Sequence, residues 1–239
     1  DPEEDEKMLL RQLMMTDILG FAAYKDIVRQ FTRWQLTGVP TIEERRVKLL
    51  LEKGMIQFNE QNTNDLLEHF SADLIVQYLV RYKSEFLKCV ENIEYTADVA
   101  NGLMKTNMSI SEKATIIPHL NIDIINEELA DNIVSVLTKQ RVDLPPDFLL
   151  KVMNLTRLFA ERLKVLNHTL EQNVFAEETI TALIESLEEP YKSIAEKGKK
   201  PELPDTEDSR RLVSLLNDKN YISSSTDTKT GIRVYTKLK

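Results

Sequence analysis

Leu103-Met-Lys-Thr-Asn-Met-Ser-Ile-Ser111 and Leu137-Thr-Lys-Gln-Arg-Val-Asp-Leu-Pro145 share one pattern: a helix ends at an apolar residue, a lysine follows two places on, and an apolar residue leads into a new helix. The two stretches stand 34 residues apart. A recurrence of that length is what stacked helical hairpins produce, because each hairpin must bury its apolar stripe on a neighbour. The tryptophan, leucine-glycine and tyrosine signature of tetratricopeptide repeats is missing, so a compact irregular bundle is the alternative arrangement. The expected fold class is mainly α: stacked antiparallel helical hairpins, solenoid-like, closed by a small α+β unit.

Outward from these junctions the chain keeps a helical grammar. Only six glycines occur in 239 residues, which suits helix interiors. Apolar residues from Leu9 to Phe31 recur at helical intervals and predict one long or bent helix to about Leu36, ended by Gly38-Val-Pro40. Thr41 and Glu44 have capping-box spacing before a helix that Gly54 stops, and Ser109 with Glu112 has the same spacing. Further helices are predicted over 63–70, 72–82, 84–93, 96–106, 110–119, 125–139, 146–166 and 176–188, with Pro145-Pro146 suited to a first helical turn. Glu44 to Ile56 also resembles Ser209 to Ile222, a helix, a tight stop and an apolar exit in both.

The last stretch differs in kind. Ser209 to Leu216 is a short helix carrying Arg210 and Arg211, and Tyr221–Ser225 and Ile232–Lys237 read as two strands around a turn containing Gly231. Seven basic residues against Asp218 and Asp227 make this stretch +5, in a chain of net charge −8. A helix followed by a hairpin is the second half of a winged helix, so Arg210, Arg211, Lys229, Arg233, Lys237 and Lys239 form the candidate basic binding patch. The same unit equally serves protein docking or caps a helical stack, and lysines also guard exposed strand edges. Upstream, the charged segment Glu196–Asp205 contains Gly198, Pro201 and Pro204 and reads as a linker. The expected organisation is a long N-terminal helix over 1–40, a helical-repeat-like domain over 41–195, the linker over 196–205, and a winged-helix-like unit over 206–239.

Several chemistries lack their residues. A phosphate-cradling loop needs closely spaced glycines, and here they are never closer than sixteen positions apart. His69, His119 and His168 show no metal-ligand spacing, and the single Cys89 reads as a small hydrophobe on an apolar helix face. One cysteine forms no internal disulfide, which fits a reducing, cytoplasmic compartment. Adjacent carboxylates such as Glu43-Glu44 point about 100° apart on a helix, so they read as solvated faces. Trp34 reads as core. No uncharged run exceeds about nine residues, roughly half of a membrane span. The opening Asp1-Pro2 lacks an initiating methionine, from which a piece of a longer protein, or a processed chain, is expected.

The segment from Arg210 to Ser225, closed by Ile232–Lys237, resembles the C-terminal end of large bacterial predicted P-loop NTPases of the YobI type. Leu50 to Ile56 and the helix junctions near Lys105 and Lys139 are similar to that family's helical region. The resemblance would cover residues 41–239, and the family's phosphate-binding loop has no counterpart here. It implies a non-catalytic interaction or sensor region of a bacterial ATPase. The expected partner is a protein or the ATPase domain of the same chain, and no cofactor is expected. A nucleic-acid-binding module using the basic helix and hairpin is the alternative function, and an enzyme without a recognisable motif is the second alternative.

Overall fold

Leu74, Ile75, Tyr78 and Leu79 fall on one stripe of a helix and are all buried, which makes Ala72–Arg81 the element around which the first half of the chain packs. The computed structural model describes residues 21–38, 42–52, 54–172, 222–226 and 233–237, together with Glu207, Arg210, Arg211 and Ser214. Within these residues the chain is mainly helical. It divides into two compact units, 1–108 and 109–239.

In the first unit, α1 (Phe21–Thr37), α2 (Glu44–Glu52), α3 (Glu60–His69), α4 (Ala72–Arg81), the single turn α5 (Lys83–Phe86) and α6 (Ala97–Lys105) follow one another. Helix α4 packs on α2, α3 and α6. Its approach to α6 is close at Gly102, where an added Cβ would lie 2.6 Å from Val76 Cγ2. Gly38 and Gly54 adopt positive φ of 67° and 70° and end α1 and α2. At Gly54 the closing bonds run from Gly54 N to Leu51 O and from Met55 N to Leu50 O, the pairing that satisfies the last carbonyls of a helix. Trp34 is fully buried, as its place on the apolar face of α1 predicts, and meets Phe31 edge-on at 5.7 Å.

The second unit contains α7 (Ile110–Ile116), α8 (Glu127–Leu137), α9 (Pro146–Leu155) and α10 (Phe159–Gln172). Helix α8 packs on α7, α9 and α10 and buries Leu129, Ala130, Ile133, Val134, Val136 and Leu137. The predicted capping box is present: Ser109 Oγ accepts from Glu112 N, and Glu112 Oε2 accepts from Ser109 N at 2.8 Å. Pro146 opens α9 at the position where a missing N–H costs nothing. Strands β1 (Ile222–Thr226) and β2 (Arg233–Lys237) pair antiparallel, with Ile222 opposite Lys237 and Thr226 opposite Arg233.

Four local expectations are corrected. The helix predicted over 146–166 is two helices, because Thr156 takes an extended conformation with ψ 138° and the chain restarts only at Phe159. The helix predicted over 84–93 is the single turn α5 followed by a 3₁₀ turn, Val90–Asn92. There the backbone bonds to Lys88, Cys89 and Asn92 close over three residues, and Asn64 fixes the exit by donating to Asn92 O and accepting from Glu94 N. Cys89 is therefore half-buried between helical turns, not on an α-helical face, and its thiol donates weakly to Glu85 O and Phe86 O. Burial, reinforced by Glu60 and Glu91, pushes that thiol's pKa up. Finally, α2 starts at Glu44, whose carboxylate accepts from the backbone N and hydroxyl of Ser71 and so is engaged away from its own helix start. Thr41, the first half of the long N-terminal helix, the helix over 176–188 and the linker over 196–205 lie outside the described residues.

Candidate functional site, a polar cleft in the second unit

The cleft begins with a broken helix. Asp131, on α8, accepts from Thr156 Oγ1 at 2.6 Å and from Arg157 N at 2.8 Å, while the Arg157 guanidinium stands 3.4 Å from its other oxygen. A carboxylate that takes a backbone N–H offers the chain an alternative to continuing a helix. Thr156 O accepts from the buried Arg162 guanidinium, so both polar groups of the break are satisfied within the unit. Burial would raise the Asp131 carboxyl, but the hydrogen bonds from Thr156 and Arg157 and the charge of Arg157 outweigh it and hold it low. This junction sets the start of α10, which then turns Leu163, Val165 and Leu166 inward.

On its polar side α10 carries Lys164, Asn167, His168 and Glu171, spaced at i, i+3, i+4 and i+7, and so on one face. Opposite that face α8 ends, and the turn after it presents Lys139 and Arg141. Between them lies a cleft of about 310 Å³, which Arg211 also lines. A smaller recess of about 30 Å³ adjoins it and shares Leu137, Arg141 and His168. His168 Nε2 is buried there without a hydrogen-bond partner among the described residues.

Among the described residues, four cations and one carboxylate line the cleft. Glu171 is ion-paired with Arg211. Arg141 pairs with Asp143 at 3.1 Å and Lys164 with Glu161 at 3.3 Å, both carboxylates lying outside the lining. Lys139 is exposed and has no ion-pair partner among the described residues. Lys113, across from it on α7, has its pKa pushed down by partial burial and then by the charge of Lys139. The arrangement places more positive than negative side-chain charge around the cleft among the described residues. Among the described residues no cluster of three or more histidine, cysteine or acidic side chains could hold a metal.

Four residues of the predicted basic patch fall within the described residues. Arg211 lines the cleft and Arg210 is exposed beside it in sequence, on helical backbone. Arg233 and Lys237 stand at the two ends of β2, while Lys229 and Lys239 lie outside the described residues. The sequence reading did not group Lys139, Arg141, Lys164 and His168 into a site. The signal was there in the last two, since Lys164 and His168 are one helical turn apart. His69 and His119 are exposed and distant in sequence from the cleft, and the His69 ring nitrogen Nδ1 pairs with Asp65 O at 2.9 Å.

Over 220 residues, 90% of its length, the chain is 24% identical to the protein named "Uncharacterized membrane protein YobI" of Bacillus subtilis (strain 168). It is similar to YobI. The chain spans 18% of the length of that relative. No family model and no solved structure matches it. Among the described residues no helix is long and apolar enough to cross a membrane.

Proposed function

We propose that this chain is a non-catalytic interaction and regulatory region of a larger bacterial P-loop ATPase, acting in the cytoplasm and binding a protein partner through the helical groove of its second unit. The observation that carries this reading is the cleft itself. Its cations come from three separate stretches, the turn after α8, α10, and the segment holding Arg211, and a groove assembled from distant stretches is suited to recognition. The similarity to a short portion of YobI supports placing the chain inside a much longer protein. The P-loop context rests on the resemblance of the C-terminal segment, while the finer description of the fold as stacked hairpins closed by a winged-helix-like unit rests on the 34-residue recurrence and on the helix-hairpin pattern of the last stretch. Binding at the cleft is then transmitted mechanically to the nucleotide-binding domain.

The test is a binding and turnover experiment. The 239-residue chain is titrated against the rest of its parent protein, expressed separately, and nucleotide hydrolysis is followed. Saturable association that changes hydrolysis supports the reading, and a parent without nucleotide turnover or without affinity for this region removes it. A salt-dependent gel shift with duplex DNA addresses the nucleic-acid reading.

A further inference from the structure

We infer that the cleft of the second unit is a carboxylate-reading site that binds an acidic stretch of the partner polypeptide, with Glu171 on Arg211 occupying the place of one of its side chains. The inference rests on the interaction reading above and specifies its ligand.

Three observations lead to it. First, Lys139, Arg141, Lys164 and Arg211 converge on one cleft whose lining, among the described residues, holds a single carboxylate, and that carboxylate is already bound by an arginine. A guanidinium can present two parallel N–H groups to a carboxylate's two oxygens, and the Arg211–Glu171 ion pair shows that a carboxylate reaches Arg211 in this cleft. Second, the pairs that hold these cations are exposed, with 48%, 46% and 56% of the Arg141, Lys164 and Arg211 side chains accessible. Ion pairs so exposed contribute little and exchange readily for an incoming carboxylate. Third, Lys139 is exposed and has no ion-pair partner among the described residues, so its charge is available to a ligand carboxylate.

A long phosphate backbone is disfavoured, because the chain's charge of −8 repels a long polyanion before contact. A short acidic peptide carries few charges and can place each beside a cation. A volume of about 310 Å³ accommodates one or two side chains of such a peptide.

The experiment uses the full chain, a fluorescein-labelled glutamate-rich decapeptide, a lysine-rich decapeptide and a single-stranded oligonucleotide, followed by anisotropy at low salt. The glutamate-rich peptide should bind and the lysine-rich one should not. Glu171→Gln frees Arg211 and should tighten binding about threefold. The double variant Lys139→Glu/Arg211→Glu should weaken it tenfold or more, on the order of two lost charge-assisted contacts. Both positions are exposed, and a thermal melt confirms that the variant is folded. On the unaltered chain, hydrogen exchange should slow over 137–141 and 164–171 when the peptide is added. Peptide binding that ignores both variants, protection elsewhere, or tighter binding of the oligonucleotide overturns the inference. If the double variant still captures the parent protein, the carboxylate site falls and the interaction reading stands. If the unaltered chain captures nothing from its parent, that reading fails instead.

Discussion

Asp131 Oδ1 lies 2.6 Å from Thr156 Oγ1, and this contact between residues 25 apart divides what the local sequence writes as one helix. The carboxylate is largely buried, with 19% of its side chain accessible, and it serves two donors at once.

Asp131→Asn should therefore destabilise the second unit by about 1–3 kcal/mol, since one buried donor loses its charged acceptor. The sign of the pH dependence follows from the lowered folded-state pKa of Asp131. Its contribution is fully present above the unfolded value of about 3.9 and is lost as pH falls through the lower folded value. Thermal melts of the two proteins should differ at neutral pH and converge in acid. A gap that stays constant to pH 2 contradicts the role given to the charge.

At Gly102 a methyl group has nowhere to go, because Val76 Cγ2 would be 2.6 Å from it. Gly102→Ala should lower the stability of the first unit by about 1–3 kcal/mol through overpacking, despite alanine's better helix propensity. Adding Val76→Ala should recover part of the loss. A urea double-mutant cycle with no coupling energy would show that α4 and α6 do not meet there.

The reciprocal Ser109–Glu112 box gives a third test. Ser109→Ala should cost about 1 kcal/mol, read from the urea midpoint, while Glu112→Gln should cost less because glutamine still offers an acceptor to Ser109 N.

Trp34 is the sole tryptophan and is wholly enclosed. Its fluorescence should be blue-shifted and inaccessible to iodide in the folded chain, and should redden when the first unit opens. Free quenching under native conditions would place it outside the core.

Much of this was legible in the residues and some of it was not, for a physical reason. Gly38, Gly54, Ser109 with Glu112 and Pro146 act on atoms within five residues of themselves, so their consequences can be read in order along the chain. Thr156-Arg-Leu158 contains nothing that forbids a helix, and contacts from outside the segment, the carboxylate of Asp131 on another helix and the guanidinium of Arg162, make the extended alternative better. Glu44 shows the same limit: its capping spacing with Thr41 is correct as a pattern, but Ser71 claims the carboxylate. The cleft was half visible. Lys164 and His168 announce a polar helix face, whereas Arg211 reaches Glu171 across forty residues that carry no local sign of the contact.

The raised thiol pKa of Cys89 makes the chain its own reporter. At neutral pH little thiolate is available, so alkylation waits on exposure of the sulfur, and with one cysteine every adduct carries the same meaning. Maleimide uptake timed by mass spectrometry is then a clock for fluctuations around residues 83–92, and a dye placed there by energy transfer from Trp34 follows the same region optically, without engineering a single new position.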